Sequence, residues 1–202
     1  MPQGPDNDFG AKPAVLRCGR CGKAVDWDEA QLQVICSCRP HIELPPVLVH
    51  EATDIERALV GDLFHRDFGR TRIIAFGEIL NVDEMPALVA TMHEEVSGAL
   101  AYRLLGDGLH IVALATDALW QRSGVGGHLV AEAELLARRL SLIRVIVTTT
   151  NDNLPALYFY QRRGYRLTGL IAGSVVSRSP DVLNGFAGIP VRDEVHLEKL
   201  IG

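Results

Sequence analysis

The chain has 202 residues, 48% of them hydrophobic, which is enough for one sizeable globular domain with a small appendage. Its formal net charge of −5 argues against a protein whose main partner is nucleic acid. No apolar run approaches the roughly 20 residues needed to span a bilayer, and Met1 to Pro13 lack the apolar segment of a signal peptide, so we expect no membrane partner.

Residues 1–14 are polar and rich in Pro and Gly, and we predict a disordered leader there. Residues 15–44 form a separate small unit that contains all four cysteines, as a CxxC pair and, after fourteen intervening residues, a CxC pair: Cys18, Cys21, Cys36 and Cys38. Between the pairs, Ala24–Trp27 and Leu32–Ile35 are predicted to form a short hairpin. A unit of this size cannot bury a core, so it needs an added constraint.

Four thiolates around one Zn²⁺ would supply that constraint, because structural zinc favours a closed tetrahedral site of soft ligands. The layout resembles a zinc ribbon, although its second pair is CxC rather than CxxC, which leaves His41 as an alternative to one cysteine. Reduced thiols without metal, or a redox CxxC pair, are the alternatives to zinc. The local clustering of the cysteines favours a cytoplasmic protein over a secreted, disulfide-linked one.

The cysteine-rich unit has no electrostatic signature of nucleic-acid binding. From Ala14 to Leu44 there are four Lys or Arg residues and four Asp or Glu residues. A balanced charge attracts phosphates weakly, so we do not expect nucleic acid as a partner. A structural or protein-docking role is favoured instead.

Pro45-Pro46 marks the start of the second predicted domain, residues 45–202. It begins with a strand at Val47–Ala52 and a helix that Thr53 or Asp54 can cap. The apolar stripe of this helix, which ends near Phe68, is predicted as Ile55, Leu59, Leu63 and Phe64. Further elements are predicted as a short strand or turn at Arg72–Phe76, a hairpin of Pro86–His93 with Val96–Leu105, and a strand at Leu109–Thr116.

A glycine-rich turn, Gln121-Arg122-Ser123-Gly124-Val125-Gly126-Gly127, joins this last strand to a helix predicted from about Gly127 to Leu140. Its three glycines permit a tight turn and leave backbone N–H groups uncovered by side chains. The start of the helix adds unpaired N–H donors and the positive end of the helix dipole, so the turn can hold a phosphate. Within the helix, Glu134 and Arg138 are predicted to pair on the outer face.

The last predicted elements are a buried strand, a helix and two further strands. They are placed at Arg144–Thr150, from an Asn153 cap to Arg163, at Tyr165–Val176 and at Glu194–Leu200.

Two motifs in this domain match one family. The glycine turn lacks the third glycine of a dinucleotide-binding fingerprint and the Lys-Ser/Thr of a nucleoside-triphosphate loop, but it fits Q/R-x-x-G-x-G/A through Gln121, Gly124 and Gly126. The segment from Asn153 to Tyr165 fits N-x-x-A-x-x-[LF]-Y-x-x-x-G-[FY]. Together, in this order and spacing, they resemble the GNAT acyltransferases over about Val47 to Leu200.

The resemblance implies an α/β (α+β) fold with a mixed, mostly antiparallel central sheet and helices on both faces. It also implies acetyl-CoA as acyl donor, with its pantetheine arm along the backbone of Leu114, Ala115 and Thr116 and its pyrophosphate at the glycine turn. The cofactor-binding residues implied are Leu114, Ala115, Thr116, Gln121, Arg122, Ser123, Gly124, Val125, Gly126, Gly127 and Asn153. Tyr160 matches the tyrosine that, in many members, protonates the departing thiolate, whereas Tyr158 is predicted to pack.

The function implied is transfer of an acetyl group from acetyl-CoA to a primary amine by direct attack; a non-catalytic acyl-CoA sensor or adaptor is the alternative. No spacing selects a general base among Glu94, Glu95, His110 and Asp117, and the acidic residues of Gly188–Glu198 could hold a cationic amine. The sequence also leaves open whether the acceptor is a small molecule or a peptide and whether the chain forms a homodimer.

Overall fold

The computed structural model describes residues 46–178 and 184–201, together with the backbone of two short strands, β1 (Asp26–Asp28) and β2 (Gln33–Ile35). The chain divides into two compact units, Met1–Leu44 and Pro45–Gly202. In the first unit, β1 and β2 pair antiparallel, as predicted. The four cysteines and His41 lie outside the described residues.

The second unit is built on a seven-stranded sheet. Its strands are β3 (Leu48–Glu51), β6 (Ala87–Met92), β7 (Glu95–Leu105), β8 (Gly108–Thr116), β9 (Arg144–Thr150), β10 (Arg166–Ile171) and β11 (Glu194–Leu200). Their spatial order is β10-β11-β9-β8-β7-β6-β3, and only β8 and β9 run parallel. A separate hairpin is formed by β4 (Arg72–Ala75) and β5 (Glu78–Asn81).

The described part of this unit also contains three α-helices: α1 (Glu56–Phe68), α2 (Val125–Arg139) and α3 (Leu154–Gln161). The helix α2 connects β8 to β9, since two parallel neighbours need a long crossover rather than a hairpin. It approaches β7 so closely that a Cβ on Gly98 would lie 2.7 Å from Val125 Cγ1. None of the described helices is long and apolar enough to cross a bilayer.

Apolar side chains cover both faces of the sheet. Leu109, Ile111, Val145, Val147 and Leu197 pack with α2, α3 and their neighbours on one face. On the other face, alanines of β7 and β8 pack with α1 residues such as Phe64. We call these the α2 side and the α1 side of the sheet.

Several predicted boundaries agree with the structure, and Arg144–Thr150 and Glu194–Leu200 agree to the residue. The stripe predicted for α1 was wrong in part, because the residues buried in this helix are Val60, Leu63 and Phe64, while Ile55 and Leu59 are exposed. The prediction that Glu134 lies on the outer face was also wrong. Its carboxylate is buried and accepts a hydrogen bond from Lys199 Nζ at 2.7 Å.

Candidate active site

A gap between β8 and β9 begins at an extra residue in β8. The two parallel strands pair only as far as Ile111 and Val147. On the opposite edge of β8, two successive residues of β7 pair with Ile111 and Ala113, so Val112 is a bulge. A bulge bends its strand and ends regular pairing, and beyond it β8 and β9 are no longer paired.

A cleft of about 850 Å³ occupies this gap and is lined from both sides of the sheet. On the α2 side its wall is formed by the glycine turn and α3, with the side chains of Phe159, Tyr160 and Arg163. On the α1 side its wall includes Asp67 and Ile74. The free ends of β8 and β9 line its middle through Val112, Ala113, Leu114, Thr116, Thr148, Thr149 and Thr150.

The glycine turn presents backbone donors to the cleft. Gly124 is the N-cap of α2 and has a φ of 98°, a conformation that favours glycine. His128 N–H bonds to the Gly124 carbonyl at 3.1 Å, so the N–H groups of Val125, Gly126 and Gly127 precede the first helical hydrogen bond. These donors and the helix dipole give the turn the chemistry to bind an anion.

Arg163 places a positive charge at this helix start. A Cβ on Gly127 would lie 2.6 Å from Arg163 Nη2, so the guanidinium rests against the bare backbone of the turn. It stacks on Phe159 with 3.7 Å from Cζ to the ring centroid and donates to the Phe159 carbonyl at 3.1 Å. Burial lowers the pKa of Arg163. A partly desolvated cation next to the positive end of a helix is unfavourable unless an anion joins it.

The helix α3 is set by its cap and carries Tyr160 into the cleft. Asn153 Oδ1 accepts a hydrogen bond from Ala156 N–H at 3.1 Å, as expected for an N-cap. The Tyr160 side chain is 4% exposed, and its ring packs edge-on against Tyr165 with 5.4 Å between centroids. Burial raises the pKa of Tyr160, so its hydroxyl is neutral at physiological pH and has a proton to donate.

The fold and the cleft agree with a known family. Residues 52–165 match the model of the Acetyltransferase (GNAT) family. The chain belongs to the GNAT family. It is an N-acetyltransferase, which transfers an acetyl group to an amine.

Relatives cover most of this GNAT chain. The uncharacterized protein YxbD of Bacillus subtilis is 31% identical over 150 residues, which are 72% of this chain and 93% of the relative. A Bacillus subtilis acetyltransferase solved in complex with CoA has a TM-score of 0.61 at 23% identity, covering 77% of this chain and 97% of that chain. A GNAT acetyltransferase from Elizabethkingia anophelis with acetyl-CoA bound has a TM-score of 0.58 at 18% identity, covering 76% and 97%. The predicted mixed, mostly antiparallel fold is therefore confirmed.

Most of the residues predicted to contact the acyl donor line the cleft of this GNAT domain: Leu114, Thr116, Gln121, Arg122, Gly124, Val125, Gly126, Gly127, Asn153 and Tyr160. Two others do not line it with side chains. Ser123 donates its hydroxyl hydrogen bond to the Trp120 carbonyl, and the side chain of Ala115 packs on the α1 side of the sheet.

The four candidate bases occupy different surroundings. Glu94 and Glu95 are exposed at the turn between β6 and β7. Asp117 accepts a hydrogen bond from Leu119 N–H at 3.0 Å and pairs with Arg66 at 3.3 Å. His110 is half-buried, like Asp117, and its ring packs on Phe76 with 4.7 Å between centroids.

The sequence reasoning missed Arg163 and Asp67 as cleft residues. The (i, i+4) spacing of Phe159 and Arg163 on α3 was the available signal, since it permits stacking of the guanidinium on the ring. Asp67 lies near the end of α1, and burial raises its pKa. No signal in its own helix pointed to the cleft, because the sheet that forms the opposite wall is distant in sequence.

Proposed function

We propose that acetyl-CoA is the donor of this enzyme and lies in the cleft between β8 and β9. The observation that carries the proposal is the meeting of three features in one cavity: an unpaired strand edge, a glycine-rich helix start, and a cation. An elongated thioester with an anionic end has the chemistry to occupy all three.

The phosphate end is assigned to the glycine turn. The N–H groups of Val125 to Gly127 would donate to the pyrophosphate, and Arg163 would supply a charge-assisted hydrogen bond from the same side. Arg122, which also lines the cleft, would add charge at its exposed end.

The pantetheine arm is assigned to the free edge of β8. From Val112 to Thr116 this edge has no partner on its β9 side among the described strands. An extended amide chain can add to such an edge as an extra strand. This pairing uses backbone groups, so it is open to Ala115 as well as to Leu114 and Thr116.

Direct attack of the amine on the thioester is the proposed mechanism. The described residues that line the cleft include no cysteine, serine or lysine, so none of these nucleophiles is available for an acyl-enzyme. The amine nitrogen attacks the acetyl carbonyl carbon, the C–S bond breaks with its electron pair on sulfur, and Tyr160 protonates that sulfur. The nitrogen releases one proton to solvent as the amide forms, and Tyr160 is reprotonated from solvent.

The proposal is tested by CoA release and by charge removal. Purified protein is incubated with acetyl-CoA and a panel of small amines, amino acids, aminoglycosides and peptides, and free thiol is measured. Release of CoA with formation of an acetylated amine supports the enzyme; binding of acetyl-CoA without any release would favour a non-catalytic sensor.

The Arg163→Gln variant is expected to weaken acetyl-CoA binding roughly 10- to 100-fold, because one charge-assisted hydrogen bond is lost. Arg162→Gln is the matched control, since the Arg162 side chain is exposed and donates to Tyr158 Oη at 2.9 Å. Isothermal titration calorimetry measures the affinity of each variant for acetyl-CoA. Equal affinity in the two variants would contradict the phosphate assignment.

We further propose that residues 15–44 form a structural zinc unit with Cys18, Cys21, Cys36 and Cys38 as ligands. The support is the pairing of β1 with β2, which joins the CxxC pair to the CxC pair by a hairpin. Elemental analysis of purified protein should find one zinc per chain, and Cys18→Ser should lower that ratio. A cytoplasmic location, where thiolates stay reduced, is part of this proposal.

A further inference from the structure

The cleft is also lined by residues of the α1 side of the sheet, and one member of a polar cluster belongs to that lining. We define this cluster as His110, Thr148, Glu194 and His196. Thr148 lines the cleft, and His196 is its cross-strand partner in the ladder between β9 and β11. Directly opposed residues in an antiparallel pair share a face with Cβ atoms about 4.5–5.5 Å apart. The His196 side chain therefore lies next to the cleft wall.

Glu194 and His196 form a fixed pair. Glu194 is 2% exposed, and its Oε1 lies 2.5 Å from His196 Nε2. Its Oε2 accepts a hydrogen bond from Gly77 N–H at 3.1 Å. A carboxylate on Nε2 favours the tautomer in which Nε2 carries the hydrogen, so the lone pair of the ring is on Nδ1.

The ring of Phe76 packs against both histidines of the cluster. Its ring centroid lies 4.7 Å from that of His110 and 5.8 Å from that of His196. The φ of Phe76 is 55°, an uncommon value for a bulky residue, which indicates that the surrounding packing enforces this position.

Two buried polar atoms of the cluster have no hydrogen-bond partner among the described residues: His110 Nδ1 and Thr148 Oγ1. Buried polar atoms are normally paired, so orphaned ones beside a cleft indicate a place where a polar ligand or water completes the site. Burial and the nearby Arg103 lower the pKa of His110, which is therefore uncharged at neutral pH. A neutral His110 does not repel a cation at His196.

We propose that His196 is the general base of this enzyme, that Glu194 positions it, and that the acceptor is a primary amine that enters from the α1 side as an ammonium ion. This inference rests on the proposed acetyl-CoA site, and it assigns the α1 side of the same cleft to the acceptor amine. The ammonium proton passes to Nδ1 of His196, and the imidazolium is stabilised by Glu194. The freed amine lone pair attacks the acetyl carbon, and the sulfur leaves with the electron pair of the C–S bond and takes the proton of Tyr160. The nitrogen releases its second proton to solvent as the amide forms, and Tyr160 is reprotonated from solvent.

Other ionisable groups face this pair, and a pH profile must be interpreted with them. Arg103 lies over Phe76 and pairs with Glu78, Arg178 Nη2 lies 3.7 Å from the Cβ position of Gly77, and Glu198 of the same strand pairs with Arg144.

The test compares wild type with His196→Gln, using acetyl-CoA and the amine of the panel that turns over fastest. Glutamine can still donate to Glu194 but cannot take a proton. We expect kcat/KM at neutral pH to fall about 10²- to 10⁴-fold, and to keep rising with pH as free amine forms in solution. Acetyl-CoA affinity should be unchanged, which separates this result from a failure of the donor site. His65→Gln, an exposed histidine of α1, is the control and should retain wild-type kcat/KM.

A second measurement needs no acceptor. In CoA-bound protein, ¹⁵N NMR of the imidazole of His196 should report hydrogen on Nε2 and none on Nδ1 above neutral pH, and Glu194→Gln should reduce the population of this tautomer. The opposite tautomer would overturn the proposal. So would wild-type kcat/KM and pH profile in His196→Gln, or a loss of activity found in His110→Gln and not in His196→Gln.

Discussion

At the scale of single residues, two tyrosines of α3 show how surroundings determine role. Tyr158 and Tyr160 carry the same phenol, but Tyr158 is 63% exposed and accepts a hydrogen bond from Arg162, whereas Tyr160 is buried at the cleft. Burial raises the pKa of Tyr160. The proton therefore stays on oxygen at neutral pH, and the hydroxyl is available to protonate the sulfur as the C–S bond breaks.

The Tyr160→Phe variant should therefore lose catalytic activity and still bind acetyl-CoA. Removing the hydroxyl deletes the acid while the ring still packs against Tyr165, so we expect kcat to fall by about 10²-fold or more and the dissociation constant of acetyl-CoA to stay within error. Pre-steady-state CoA release and equilibrium titration measure the two quantities. Tyr158→Phe removes the same atom outside the cleft and is the control. Equal turnover in both variants would remove Tyr160 from the mechanism.

At the scale of elements, one extra residue in β8 separates this strand from β9. Val112 and Ala113 are consecutive yet both pack on the α1 side, while Ile111 and Leu114 face the α2 side. Without Val112, the remaining residues would alternate between the two sides in the ordinary way. The cleft therefore depends on the bulge rather than on the side chain of Val112.

Deletion of Val112 should close the cleft without unfolding the domain. Residues on both sides of the deletion keep their faces, so β8 can continue to pair with β9 and occupy the edge that the donor would use. We expect a cooperative thermal transition and no measurable acetyl-CoA binding. Val112→Ala keeps the bulge and should bind acetyl-CoA as wild type does. Binding by the deletion variant would contradict the role of the bulge.

Elements with a strong local sequence signal could be predicted, whereas elements whose limits depend on neighbouring strands or turns could not. The strand predicted at Arg144–Thr150 was correct because a run of β-branched residues favours a strand whichever strands surround it. The strand predicted at Tyr165–Val176 was too long: β10 ends at Ile171, whose pairing with Glu194 begins β11. The second strand of the β4–β5 hairpin was missed because its turn uses Phe76, a residue that propensity does not place in the left-handed region.

The candidate active site could likewise be predicted only where its signal is local in the sequence. The two motifs predicted the glycine turn, Asn153 and Tyr160, since each motif is contiguous in the chain. Arg163 offered only its (i, i+4) spacing from Phe159, and Glu194 and His196 only their alternate positions on one strand. Their places beside the cleft depend on the packing of distant strands and helices.

At the scale of the whole molecule, His110 links the candidate site to stability. Its pKa is lowered in the folded protein by burial, then by Arg103 and Arg144 and by His196, with Asp107 opposing. Below about pH 6.5 the unfolded chain takes up a proton that the folded protein does not. The contribution of His110 is therefore present above that pH and is lost as the pH falls towards its folded-state pKa.

We expect wild type to lose more unfolding free energy than His110→Gln between pH 7.5 and 5.5. Urea unfolding at the two pH values measures the difference for each protein. His65→Gln, which removes an exposed histidine of α1, should match wild type. A pH dependence that is the same in His110→Gln and wild type would show that this residue is not the sensitive group.

The cleft that passes from one side of the sheet to the other also has a kinetic consequence. If the donor enters from the α2 side and the acceptor from the α1 side, neither substrate blocks the path of the other, and both must be present before any bond changes. Initial rates measured against both substrates should then give intersecting double-reciprocal lines. Parallel lines would require acetyl-CoA to react and CoA to depart before the amine arrives.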